Sequence, residues 1–345
     1  MSEKIELSFE PFTIELKHTF AVSSFVRNIT PSVQTELKYN GITGYGEASL
    51  PPYLEETQES VILFLSKIDL SGFKEPFQIE EILNYIDSIE EGNNAAKAAV
   101  DIALHDLVCK IKNIPLYKYF SLSKPENLFT SYSIGIDSDE MIDKKLNEAR
   151  DFKFLKVKLG SSRDKEIIEL IRSKTELPLY VDVNQGWKDK SEALRIIEWL
   201  AGKNVLLVEQ PLSKEQIDDI AWLTANSPLP IIADESVQRL NDFEIIKDIY
   251  SGINIKLMKS TGLREAFKMI MKAKAEELKI MLGCMVETSC AVSAAVNLAS
   301  LVDWIDLDGP LLIKNDNFKG LTYQDGRIKI SDQPGIGVEK ISNMI

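Results

Sequence analysis

Three acidic side chains, Asp182, Glu209 and Asp234, each end a short apolar run and follow one another at intervals of 27 and 25 residues. Hard carboxylate oxygens with no His or Cys beside them suit Mg²⁺, which keeps positions open for water and substrate. Lysines occur in the same kind of place: Lys156 and Lys158 in the run 154–160, and Lys256 in Asn-Ile-Lys-Leu-Met-Lys. In an extended segment Leu155, Val157 and Leu159 point one way, while Phe154, Lys156 and Lys158 point the other. A strand followed by a helix is usually apolar on both faces, so two ammonium groups there are costly unless anions pair with them. An edge strand with a solvated lysine face is the bland alternative. A single Asp at a strand end is, likewise, more often a loop or helix cap. Three acids in register, facing three lysines, fit those readings poorly.

The arrangement has a chemistry. Lys158 and Lys256 are separated by the three acid-bearing segments, so their ammonium groups approach one substrate from opposite sides. Two such bases suit a 1,1-proton transfer: one removes a proton from the carbon α to a carboxylate, and the other returns one to the opposite face. The enediolate carries a second negative charge, which a divalent cation and a nearby ammonium neutralise as it forms. A lysine acting as base near neutrality needs a lowered pKa. For Lys158 the neighbouring Lys156, the metal and desolvation would supply that.

The elements that must position these groups can be read from periodicity. Short apolar runs recur at 129–136, 154–159, 179–183, 205–209, 229–234, 253–257, 280–284 and 304–308, with helical patterns between them such as 191–200 and 263–275. Starts about every 25 residues indicate repeated β–α units, and eight of them favour a closed barrel over an open doubly wound sheet. No glycine-rich first turn marks a nucleotide site. Upstream, 12–16 and 32–38 read as strands, Asn40-Gly41 reads as a turn closing the second of them, and 44–52 reads as a loop. Gly44-x-Gly46 lacks the third glycine or lysine of a phosphate cradle. Segments 57–67 and 78–88 look helical, and Asn93-Asn94 is placed as the cap of a long helix, 95–112. His105 lies within it and is read as a packing residue. The polar, proline-bearing stretch 121–127 marks a boundary. The division is therefore 1–122 as an α+β capping domain, 123–316 as the barrel, and 317–345 as a tail returning to the capping domain.

Composition narrows the partners. The chain has 345 residues, 44% hydrophobic, with a net charge of −13 and no basic stripe, so nucleic acid is not expected. No run approaches about 20 apolar residues and no signal-peptide core opens the sequence, so neither membrane nor export is expected. Cys109, Cys284 and Cys290 have no metal-type spacing, which fits a reduced cytoplasmic setting. Only His18 and His105 occur, so chemistry needing several histidines is nearly excluded.

Lys-x-Lys, then Asp, Glu, Asp and Lys on successive strands, resembles the enolase superfamily, muconate-lactonizing-enzyme subgroup; a lysine base working beside Mg²⁺ is a known pattern there. The likeness spans nearly the whole chain. It implies a modified TIM barrel of (β/α)7β type with an α+β capping domain. It also implies Lys158 and Lys256 as the acid/base pair, Asp182, Glu209 and Asp234 as ligands of one Mg²⁺, and Lys156 supporting the substrate carboxylate. The mandelate-racemase branch needs a histidine late in the barrel, and this chain has none there.

Within the subgroup, cycloisomerases, o-succinylbenzoate synthases, N-acylamino-acid racemases and dipeptide epimerases share these residues. Asp306-Leu307-Asp308 resembles the dipeptide epimerases at the motif that holds the peptide's amine; alternation puts both carboxylates on one side. Gly283-Cys284-Met285 resembles that family's backbone cradle for the peptide. Arg27 stands where Ala-Glu epimerases carry an arginine for the glutamate side chain; a small alignment shift gives that place to Phe25 and implies a more apolar substrate. Ser133, inward on the first strand, is a candidate for a substrate hydrogen bond. The expectation is an isomerase acting on a dipeptide, most simply L-Ala-D/L-Glu, and assembling as a homo-oligomer. A metal-free lyase using Lys158 or Lys256 as a Schiff base, or a barrel kept as a scaffold, are the readings outside this class.

Overall fold

The N-terminal alternation builds an antiparallel sheet in the order β1 (Glu6–Ala21), β2 (Val26–Tyr39), β3 (Ile42–Ser49), within a computed structural model that describes residues 4–341. Asn40 and Gly41 make the β2–β3 turn with φ of 51° and 75°, as an Asn-Gly hairpin requires. The segment from Gly44 is strand, not the expected loop. Its glycines are there for close approach: a Cβ on Gly44 would lie 2.1 Å from Ala103 O, and one on Gly46 1.9 Å from Ala99 O. Both contacts are with α3 (Asn94–Ile111), which comes after α1 (Gln58–Leu65) and α2 (Ile79–Ile89) and precedes the short α4 (Leu116–Tyr119). The α3 start also differs from expectation. Asn93 has φ 52° and makes no capping bond; its side chain turns back to Glu91 O. The carboxylate of Glu56 accepts from Ala95 N and Ala96 N instead, at 3.0 and 3.3 Å, putting a full negative charge at the helix's positive end.

Eight parallel strands come next, β4 (Ser131–Ile134), β5 (Phe154–Lys158), β6 (Leu179–Asp182), β7 (Val205–Glu209), β8 (Ile231–Ala233), β9 (Gly252–Ile255), β10 (Lys279–Gly283) and β11 (Trp304–Asp306), paired in sequence order. Helices α5 (Asp139–Glu148), α6 (Asp164–Arg172), α7 (Lys190–Ala201), α8 (Ile217–Asn226), α9 (Phe243–Ile246), α10 (Leu263–Ala275) and α11 (Ser289–Val296) connect them, giving the expected (β/α)7β barrel. Side chains fasten the seam between β4 and β11: Leu307 N donates to Thr130 Oγ1 (2.8 Å), Ser131 Oγ to Asp306 (2.6 Å), and Ser133 N to Asp308 (2.7 Å). Tyr180, Leu207, Ile232 and Met281 form an apolar cluster, each at most 2% exposed. Tyr180, Leu207 and Ile232 precede Asp182, Glu209 and Asp234 by two residues each, so alternation sets an apolar floor one pleat beneath a layer of charge.

The tail pairs β12 (Phe318–Lys319) with β15 (Glu339–Lys340), and β13 (Thr322–Gln324) with β14 (Arg327–Lys329). Lys340 bridges Glu10 and Glu36 at 2.8 and 2.9 Å, Ile336 N donates to Asp106, and Ile328 N to Leu128 O. The tail therefore fastens both to the N-terminal region and to the linker before the barrel. Among the described residues no helix is long and apolar enough to cross a membrane.

Candidate active site

In-register pairing of β5, β6 and β7 sets Lys158 beside Asp182 and Asp182 beside Glu209. Asp234 comes directly after β8, and ligand atoms of the three acids lie within 4.8 Å of one another, each residue 0% exposed. The lysines meet this group as the alternation implied. Lys158 Nζ is 2.6 Å from Asp182, and Lys256 Nζ is 2.7 Å from Asp234, so the two ammonium groups flank the triad at its two ends. Lys156 lies among Glu209 (2.7 Å), Asp306 (2.8 Å) and Asp182 (3.0 Å).

Burial acts against every charge here, and the neighbours decide the outcome. Lys158 and Lys156 overcome it for Asp182, whose carboxyl falls to about 2, and Lys256 and Lys259 hold Asp234 well below the usual range. Glu209 goes the other way: burial and Asp182 push it up to about 7. Burial also opposes charge on Lys156 and Lys256, yet Asp306 and Asp234 respectively lead in raising them well above the lysine range. A lowered pKa is thus not what Lys256 shows; the aspartate at 2.7 Å favours its ammonium, the form in which it donates a proton.

The donor set fits a hard divalent cation. Glu209 accepts from Asn254 Nδ2 through Oε1 and faces the Lys156 ammonium at 2.7 Å through Oε2. Asn184 Oδ1 and Glu235 Oε2, from the loops after Asp182 and Asp234, are buried without a hydrogen-bond partner. Three buried carboxylates within 4.8 Å of one another, with no nitrogen or sulfur ligand among them, match Mg²⁺ in type.

A cavity of about 500 Å³ opens over this layer, lined among others by Lys156, Lys158, Lys256, Asp306, Asp308 and Ser133, with Arg27, Phe25 and Tyr53 from the N-terminal region. Asp306 and Asp308 do face one side, but each already has partners: Asp306 accepts from Lys156 and Ser131, and Asp308 from Ser133 N. Burial and Asp306 push Asp308 up to about 7. Cys284 and Met285 also line the cavity. Their amides are engaged internally, Cys284 N with Asp306 O and Met285 N with Glu287, so only carbonyls and side chains are left for a peptide. Arg27 sits second on β2, its Nε and Nη1 buried without an acceptor, and desolvation lowers its pKa to about 10.

Several site residues carried too little signal in sequence. Lys259 Nζ donates to Asp234 O (2.6 Å) and Asn254 O (3.0 Å), and Asn254 Nδ2 to Glu209 Oε1 (2.7 Å). Asn254 was findable, being inward two residues before Lys256. Glu235, pushed up to about 8 by burial and Asp234, and Tyr53, whose hydroxyl donates to the Met285 sulfur, come from loops with no periodic pattern.

Residues 10–120 match the mandelate racemase / muconate lactonizing enzyme N-terminal domain, and residues 140–341 the enolase C-terminal domain-like family. The chain is 54% identical over 339 residues to the L-Ala-D/L-Glu epimerase of Bacteroides thetaiotaomicron, covering 98% of this chain and 88% of that protein. Its structure resembles a substrate-liganded complex of the L-Ala-D/L-Glu epimerase from Bacillus subtilis (TM-score 0.92, 30% identity, 99% of each chain). It also resembles a dipeptide epimerase from Cytophaga hutchinsonii complexed with Mg and D-Ala-L-Val (TM-score 0.93, 26% identity, 100% of this chain and 97% of that one). Two-lysine geometry, fold and relatives agree: the chain belongs to the mandelate racemase and muconate lactonizing enzyme family of the enolase superfamily, and it is an isomerase.

Proposed function

We propose that this isomerase is a Mg²⁺-dependent dipeptide epimerase that inverts the α-carbon of the C-terminal residue, with L-Ala-D/L-Glu as its substrate. The observation that carries the reading is the placement of Lys158 and Lys256 at opposite ends of one acidic triad. In one direction Lys158 removes the α-proton and Lys256 delivers one to the other face; in the reverse direction the roles exchange. Asp182, Glu209 and Asp234 would hold the cation. Bound there, Mg²⁺ would supply Lewis-acid stabilisation of the charge that develops on the substrate carboxylate. Lys156, buried among acids, adds a fixed positive charge to the same side.

Two sets of cavity-lining residues support a dipeptide. Asp306 and Asp308 both line the cavity, and beyond their bonds to Lys156, Ser131 and Ser133 N they would attract a free ammonium; Arg27, with Nε and Nη1 unpartnered, suits a side-chain carboxylate. Relatives at 54% and 30% identity are named for L-Ala-D/L-Glu, which supports glutamate over an apolar residue. The region 1–122 would act as the cap that supplies this selectivity, and the barrel as the catalytic body.

A panel of dipeptides incubated in D₂O with Mg²⁺ and read by mass shift tests the assignment. L-Ala-L-Glu should gain one deuterium while its stereochemistry scrambles. Deuterium-free L-Ala-L-Glu beside rapid turnover of a cyclohexene carboxylate or a muconate would reject it in favour of another reaction of the family.

A further inference from the structure

The charged layer is carried by the barrel, yet one end of it is held from the N-terminal region. Lys256 comes directly after β9 and opens a tight turn. Lys259 N and Ser260 N donate to Lys256 O at 3.0 and 3.1 Å, and Gly262 N donates to Leu257 O at 3.0 Å. This turn runs directly into α10. Gly262 stands at the cap position of that helix and has no side chain to cap it. The amides of Leu263 and Arg264, which have no partner within the helix, donate to Asp101 Oδ1 and Oδ2, at 2.6 and 3.2 Å.

Asp101 lies on α3, far away in sequence, and is 1% exposed. It is fixed in turn by His105, one helical turn along, whose Nδ1 is 2.9 Å from the Asp101 carbonyl and 3.2 Å from its carboxylate. The His105 ring stacks on Phe120 and meets Tyr119 edge-on. The fit against the turn is close. Gly262 has φ 106°, and a Cβ there would lie 2.5 Å from Asp101 Cβ, Cγ and Oδ1.

The other lysine meets the N-terminal region by packing and not through a carboxylate on a helix start: the Phe20 ring centroid lies 6.0 Å from Lys158 Nζ, and Ser23 packs against Gly160. The loop after Lys158 is closed by groups of the barrel itself: Gly160 N and Ser161 N donate to Asp164 at 3.0 and 2.8 Å, and Trp187 Nε1 donates to the same carboxylate at 2.8 Å. We infer that Asp101, with His105 behind it, is a positioning residue for Lys256 and not for Lys158. The inference rests on the two-lysine reading of the site. Releasing the α10 terminus lets the 256–262 turn shift, and a displacement of about 1 Å in a reacting group is enough to cost on the order of a hundredfold in rate.

Single-base variants make the effect readable from each face. K158A leaves only Lys256 to exchange the α-proton of one diastereomer with D₂O, and K256A leaves only Lys158 to exchange the other. Adding D101A should lower exchange at least about tenfold in the K158A background while changing it by less than about twofold in the K256A background. D101N, which keeps the shape and one acceptor oxygen, should fall between. G262A, which enters the same contact from the barrel side, should repeat the one-sided loss if D101A does not fold. Equal falls in both backgrounds, with D101N or G262A folded, would overturn the positioning role. Loss of all exchange in K158A and K256A themselves would reject the two-lysine reading, and the inference with it.

Discussion

The guanidinium of Arg27 lies 5.4 Å from the centroid of the Phe25 ring, and both side chains line the same wall of the cavity. In the sequence the two compete for one role, because a shift of two residues exchanges them. In the structure they are partners. Phe25 packs against the guanidinium and also against Tyr53, whose ring centroid is 6.3 Å away, and burial of the guanidinium lowers its pKa. A desolvated cation with two unpartnered nitrogens favours an anionic ligand over an apolar one.

Replacing Arg27 by Met should therefore lower kcat/KM for L-Ala-L-Glu by between about ten- and a hundredfold, the range for losing a charged hydrogen bond. L-Ala-L-Leu should be unaffected or improved. The ratio of the two specificity constants is the measurement. A parallel loss on both substrates would mean that Arg27 supports the fold of the β1–β2 tip and does not read the side chain.

Metal dependence has a readout independent of turnover. Mg²⁺ at about a hundred times its Kd should stabilise the protein by about 2.7 kcal/mol, because only the folded chain assembles the three carboxylates. Thermal unfolding with EDTA and then with a Mg²⁺ titration should show a rising Tm. E209Q, which removes the charge of one of the three carboxylates, should flatten that rise. A wild-type Tm indifferent to Mg²⁺ would argue that the triad serves only to pair the lysines.

The residues gathered at the candidate site were legible because a barrel converts strict alternation into a direction. Asp182, Glu209 and Asp234 sit at the ends of apolar strands, and the same parity that buries Tyr180, Leu207 and Ile232 points them inward. What was illegible depends on a second segment. Gly44 and Gly46 read as loop until α3 is laid across them, and Asn93 reads as a cap until Glu56 takes that place. Asp101 looks like one more polar residue on a helix; its role exists only where α3 meets the start of α10. Periodicity reports which face is buried, not what lies against it.

Glu47 offers a pH test of another such contact. It is fully buried, accepts from Thr288 N (3.1 Å) and from the Thr288 hydroxyl, and so holds the start of α11 from β3. Burial dominates those bonds and pushes its carboxyl up to about 7. Between an unfolded value of about 4.5 and this folded value, the unfolded chain has released the proton that the folded chain still holds. This group's contribution therefore falls as pH rises from about 4.5 to about 7 and stays flat outside that window. E47Q keeps an acceptor for Thr288 but has no proton to lose. Subtracting its stability-against-pH curve from that of the wild type should leave a step in that interval, with the wild type losing more. A difference without slope there would place the ionisation of Glu47 elsewhere.

Lys156 is 1% exposed and touches three carboxylates, so its removal is the severest single change to the charge balance. K156M preserves most of the stem and deletes only the cation. Removing one partner of a buried ionic group costs about 3–5 kcal/mol, because the remaining charges stay buried without compensation. Denaturant unfolding without divalent cation should show a loss of that order. Mg²⁺ held by the triad would act against the same imbalance, since it would bring two positive charges to Asp182 and Glu209. The stabilisation it confers should then be larger in K156M than in the wild type, although the variant is the less stable of the two. If Mg²⁺ stabilises K156M no more than the wild type, the lysine and the cation do not share those acids, and Lys156 is held chiefly by Asp306.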